Sequence, residues 1–149
     1  MRLSCQKVFL LLLSSTIACS DSAAPVPVPS YFVLQAINGR QLPTYFSAQS
    51  NITILSASLG LDGMGKANMT EVRRKIIQGI PTETHYTTIF DYRIHGDQIE
   101  IGSFKPCPIN AVCASNRIGT ISNGVLSLTI IPVSIDGSIV YQYRMMGVD

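Results

Sequence analysis

Two histidines, four cysteines and nine carboxylates are the groups in this chain that could do chemistry, and their spacing decides how much of it is available. A nucleophile relay needs an imidazole oriented by a carboxylate and set beside a Ser, Thr or Cys. His85 falls on the polar face of an alternating run and His95 in a turn, so both read as solvated side chains. Carboxylate pairs for acid–base work do no better: Asp97 and Glu100 straddle a hairpin bend, and Asp91 has Arg93 two residues along the same face. A metal centre needs several converging ligands, and neither histidine lies near the thiols of Cys107 and Cys113. No Gly-rich phosphate loop, zinc spacing or calcium loop occurs. The expectation is a protein with no catalytic residues, no metal and no cofactor.

The thiol of Cys19 has a different setting. Arg2 and Lys7 form a short basic start, and residues 8–18 form an apolar run broken only by Ser14, Ser15 and Thr16. As a helix that run reaches about 17 Å, against about 30 Å of hydrocarbon in a bilayer, so it does not span one. A basic start, a brief apolar centre and small residues at the exit describe a secretory signal peptide. The exit, Thr16-Ile17-Ala18-Cys19, resembles the lipobox of bacterial lipoproteins, in which a small residue precedes a cysteine that is diacylated on sulfur and becomes the mature N-terminus. Burying acyl chains contributes about 0.8 kcal/mol per CH₂, so two or more chains hold a protein stably at a membrane without spanning it. The alternative, cleavage after Ser20 by ordinary signal peptidase, releases a soluble secreted protein. Pro25, Pro27 and Pro29 then favour extended polyproline-II backbone, and about ten residues at about 3.1 Å each make a tether of about 30 Å. Residues 1–18 are therefore read as signal peptide, 19–30 as tether and 31–146 as the folded domain.

Export also settles how the remaining thiols are read. With Cys5 in the signal peptide and Cys19 on the lipid, Cys107 and Cys113 are left, with five residues between them, in an oxidising compartment. A local disulfide is expected, contributing about 2 kcal/mol in the chain-entropy model. Removing Arg2 and Lys7 leaves nine basic against nine acidic residues, a balance that excludes a nucleic-acid footprint. With 46% of residues apolar and 13% charged, the chain can build one core and is not disordered.

The elements that must position any site are short β-branched and aromatic runs between turn dipeptides. Asn38-Gly39, Asp62-Gly63, Gly96-Asp97, Asn123-Gly124 and Asp136-Gly137 supply residues that tolerate positive φ. Eight strands are expected between them, at residues 31–37, 52–61, 67–78, 84–94, 99–104, 117–122, 125–133 and 138–145. In the fourth, Tyr86, Thr88, Phe90, Tyr92 and Ile94 oppose a polar face that Ile89 interrupts. Residues 67–78 also admit a helix capped by Thr70 and ended by Gly79; strand is preferred because its neighbours are strands and because Pro81 fits a turn into the next one. Arg73, Arg74 and Lys75, projecting to both faces, suggest a hairpin that extends beyond the body, either solvated or in contact with anionic headgroups. A meander of eight strands leaves two raw edges unless it closes, so the fold class expected is all-β, an eight-stranded antiparallel up-and-down barrel.

"YFVLQAINGRQLP", "DYRIHGDQIEI", "GTISNGVLSLTI" and "DGSIVYQYRM" together resemble bacterial lipocalin-like lipoproteins, over about residues 30–146. The chain has no tryptophan and so lacks the Gly-x-Trp signature of true lipocalins. Two functions from different classes follow as expectations. The first is a protein anchored through Cys19 to a bacterial membrane, on its periplasmic or cell-surface face, that binds a small apolar molecule or lipid, with Phe90, Tyr92, Tyr141 and Tyr143 lining the space. The second is a non-catalytic envelope module that binds a protein partner through its loops, the Cys107–Cys113 loop included.

Overall fold

The computed structural model describes residues 29–46, 51–106, 116–131 and 137–147; Cys19, Cys107 and Cys113 lie outside the described residues. Ten strands follow one another: β1 (Ser30–Ile37), β2 (Arg40–Gln41), β3 (Thr44–Tyr45), β4 (Ile52–Leu61), β5 (Lys66–Ile77), β6 (Ile80–His95), β7 (Gln98–Gly102), β8 (Arg117–Ser122), β9 (Val125–Ile130) and β10 (Ile139–Met145). Every pairing is antiparallel, and β1 lies between β10 on one side and β4 on the other. That last contact, Ser30↔Leu61 to Val33↔Ser58, closes eight strands into a barrel and removes the edges an open meander would leave. β2 and β3 were not expected; they pair with the end of β1 and the start of β4.

The register defines two ends. At the base, β1 begins, β4 turns into β5, β6 into β7, and β8 into β9 through Asn123-Gly124. At the mouth lie the ends of β1, β7 and β9, the starts of β8 and β10, and the far end of the β5–β6 hairpin. Between them the inward side chains fill the barrel. Phe32, Leu59, Ile101, Leu126, Leu128 and Tyr143 are wholly enclosed, with Phe90, Tyr92 and Ile94 packed against them. Among the described residues, dense packing of this kind fills the barrel below the mouth.

Gly119 on β8 is required by that packing. A Cβ there would lie 2.6 Å from the carbonyl oxygen of Ser127 and 3.1 Å from Leu128 Cδ1, so β9 must retreat to admit it. Gly119→Ala is expected to destabilise the domain by about 2 kcal/mol, the cost of overpacking a filled core. A chemical-denaturation midpoint unchanged from wild type would show that β9 yields freely.

Residues 67–77 are strand, within β5, with Gln78 in the turn that follows, and the hairpin they form is longer than expected. β5 and β6 pair without interruption from Lys66↔Asp91 to Ile77↔Ile80. The turn is Gln78-Gly79, both at positive φ (51° and 82°), as a two-residue hairpin connection demands. Pro81 was expected to make this turn, yet it lies inside β6, which therefore starts at Ile80 and not at residue 84. The reason is positional. Tyr92 donates its N–H to Gly65 on the β5 side, so by alternation the odd-numbered residues of β6 direct their backbone groups the other way. There β7 pairs only with Asp91–His95, and among the described residues no strand flanks Ile80 to Phe90. A proline at position 81 forfeits no ladder bond. β7 and β9 stop at Gly102 and Ile130, short of the expected 104 and 133.

Candidate functional site

Among the described residues, one charged group is buried in the barrel, and it lies at the mouth. Along β5 the inward positions are Ala67, Met69, Glu71 and Arg73, and Glu71 is only 6% exposed. A carboxylate taken out of water needs hydrogen-bonded partners, and Glu71 has two. Its Oε2 accepts from Nε (2.9 Å) and Nη2 (2.5 Å) of Arg73, and its Oε1 accepts from the Tyr141 hydroxyl (3.3 Å). The Arg73 guanidinium is held in turn over the ring of Tyr86, its Cζ 4.6 Å from the ring centroid, with Phe46 at 5.7 Å on the same cation.

A second guanidinium enters from the first residue of β8. Arg117 is half-buried and stacks on Phe90, 4.2 Å from the ring centroid. Its Nε and Nη1 are buried without a hydrogen-bond partner, as is the Tyr143 hydroxyl. Burial lowers the Arg117 pKa from its ordinary value, against the fields of Tyr143, Tyr141 and Glu71, which raise it; arginine nonetheless stays charged. Burial pushes Tyr141 and Tyr143 up, and the negative charge of Glu71 pushes them further. Glu71, Arg73, Arg117, Phe90 and Tyr141 share a pocket of about 150 Å³ whose remaining walls are Phe46, Met69, Tyr86, Thr88 and Ile130.

The four aromatics expected to line a binding space are divided by the fold. Phe90 and Tyr141 border the mouth pocket. Tyr143 lies in the core, its ring centroid 6.1 Å from that of Tyr141, and Tyr92 packs against the core. Glu71, Arg73 and Arg117 were missed as site residues, although the alternation carries a signal: Glu71 and Arg73 continue the inward phase of Ala67 and Met69, and Arg117 that of Gly119 and Ile121. His85 and His95 are exposed, and among the described residues no three His, Cys, Asp or Glu side chains converge as a metal site would require.

Two other surfaces stand out. The hairpin carries Ile76, Ile77 and Ile80 at its tip, 62%, 50% and 66% exposed, with Arg74 paired to Glu83 at 2.7 Å just behind them. On the outer wall at the base, Tyr31, Gly60, Asn68 and Ile89 stand in register across β1, β4, β5 and β6 and form an open trough of about 650 Å³. The trough is the larger concavity, but its ionic groups, Asp62 and Lys66, are spent on the β4–β5 turn and on the Lys66–Asp91 ion pair, so the convergent chemistry is at the mouth. No described helix is long and apolar enough to cross a membrane. Set against protein-family models, curated proteins and solved structures, the chain matches none of them.

Proposed function

We propose that this chain is an exported, lipid-anchored and non-catalytic binding module that recognises a protein partner through its projecting β5–β6 hairpin. The observation that carries this reading is the tip. Three isoleucines held in water at the end of a rigid ribbon are a standing cost to solubility, and an apolar cluster framed by charge has the make-up of the centre of a protein interface. The interior supports the same choice, since below the small mouth pocket the barrel is filled by side chains.

The direction of the hairpin adds to this. The described chain begins at the base, and the tip stands at the opposite end of β5, twelve residues or about 40 Å away. With Cys19 acylated and residues 19–30 as tether, the base faces the anchoring membrane and the tip faces away from it. Contact of Arg73, Arg74 and Lys75 with headgroups of that membrane then fits less well, the more so because Arg73 and Arg74 already have carboxylate partners.

A photo-crosslinking amino acid placed in the full chain at Ile77, and as control at the exposed Ile118 on β8, tests the reading in cells. The expected result is a discrete protein adduct from position 77 alone, with Cys19→Ala moving the chain from the membrane to the soluble fraction. Adducts from both positions alike, or from neither, would sink the hairpin as the recognition surface.

A further inference from the structure

The mouth pocket has a charge that the protein leaves unanswered, and this goes beyond the hairpin reading and stands independently of it. Both oxygens of Glu71 are engaged, one by Arg73 and the other by Tyr141. Arg117 makes no salt bridge among the described residues, and two of its nitrogens lack any partner. With Arg73 and Arg117 positive and Glu71 negative, the pocket carries one net positive charge. A guanidinium half out of water and unpaired is costly, and a fold that keeps one has a use for it or a compensation elsewhere.

We propose that the pocket binds a small monoanion, a carboxylate on a compact apolar body, with Arg117 as its counter-charge. The volume sets the size: about 150 Å³ is the space that holds a benzene-sized ligand. The apolar walls, Phe46, Phe90 and Ile130, set the character of the body. The net charge sets the valence, because a dianion would place excess negative charge beside Glu71. A planar carboxylate also suits a guanidinium better than it suits an ammonium.

Benzoate, benzamide and octanoate are the probes, titrated into the isotope-labelled full chain in detergent and followed by amide chemical shifts. Benzoate is expected to give saturable shifts centred on Glu71, Phe90 and Arg117, and the neutral isostere benzamide none. Arg117→Met should weaken benzoate at least about tenfold, the worth of one charge-assisted hydrogen bond, and Arg117→Lys should weaken it less. Arg74→Met, on the outer face of the hairpin, should leave it unchanged. Octanoate binding more tightly than benzoate identifies the carboxylate as that of a lipid-derived chain that runs out of the mouth; equal or weaker binding identifies a free small acid. Absence of saturable shifts, equal binding of benzamide, or full affinity in a folded Arg117→Met chain each overturns the proposal.

Discussion

Glu71→Ala is expected to lower the free energy of unfolding by about 3 kcal/mol. The carboxylate is enclosed by protein and bound on both oxygens, so its removal strands Arg73 and leaves Arg117 without the one nearby negative charge. Breaking a buried pair from one side costs about 3–5 kcal/mol; the Arg73 side chain keeps 32% of its surface in water, which places this pair at the lower end. Glu71→Gln, which keeps the shape and one acceptor, should cost less. Arg117→Met should behave oppositely. It removes a half-buried cation with two unpartnered donors at the loss of one stacking contact on Phe90, so stability is expected to hold or to rise by about 1 kcal/mol. In the double variant, Arg117→Met should recover part of what Glu71→Ala loses, because one of the two cations that lose the field of the carboxylate is gone. Urea denaturation of the four variants beside wild type measures all of this. A cost below about 1 kcal/mol for Glu71→Ala would mean that water solvates the cluster and that its ion pair is a surface one.

The same cluster explains why the barrel was easier to read in the sequence than its site. Strands and turns are local: Asn38-Gly39 and Asn123-Gly124 have the positive φ pairs that two-residue hairpins need, and Phe90, Tyr92 and Ile94 do face the core on every second residue. Closure follows from the edges such a meander leaves unpaired. What alternation conceals are the places where its phase slips. A bulge between Ile54 and Ser56 transfers the inward set from Ile54 to Ala57, Leu59 and Leu61, and another between Leu34 and Ala36 lets Ala36 and Ile37 both be buried. Neither has a residue type that announces it. Pro81 misled for a related reason. Whether proline ends a strand depends on which side its missing N–H faces, and that is a property of the neighbouring strand.

Glu71 and Arg117 were hidden by composition and not by geometry. A charged residue in an inward position reads as an exception to the pattern until its partner is known, and Tyr141 lies seventy residues from Glu71 in the chain. Only the register of β5 on one wall and β10 on another brings them together. The exposed isoleucines at the hairpin tip show the converse: Ile76, Ile77 and Ile80 read as core by residue type, and are in water because β5 and β6 outrun the barrel that would have covered them. The buried carboxylate and the exposed isoleucines therefore both belong to the hairpin strands, which leave the packed body at the mouth.

The barrel is expected to unfold in alkali, and Tyr141 and Tyr143 are expected to cause much of it. Both phenols are enclosed and both are held well above the ordinary tyrosine value, first by burial and then by the negative charge of Glu71. In the unfolded chain they ionise near pH 10. Between that value and the higher folded one, the native state holds protons that the unfolded state has lost, so stability falls as pH rises. The contribution of each is fully present below about pH 10 and declines above it by about 1.4 kcal/mol per pH unit, or about 2.7 for the pair. Against a total of about 5–15 kcal/mol for a domain of this kind, a few pH units suffice to unfold it. The β-sheet circular dichroism and the last tyrosinate absorbance should therefore change together, as one step. Tyr143→Phe removes a hydroxyl that has no hydrogen-bond partner, so it should move the alkaline midpoint upward without weakening the fold at neutral pH. Tyr141→Phe should raise the alkaline midpoint less, because it also gives up the hydrogen bond to Glu71. Full ionisation of every tyrosine in a chain that still shows its β-sheet spectrum would mean that water reaches both phenols, and with them the floor of the mouth.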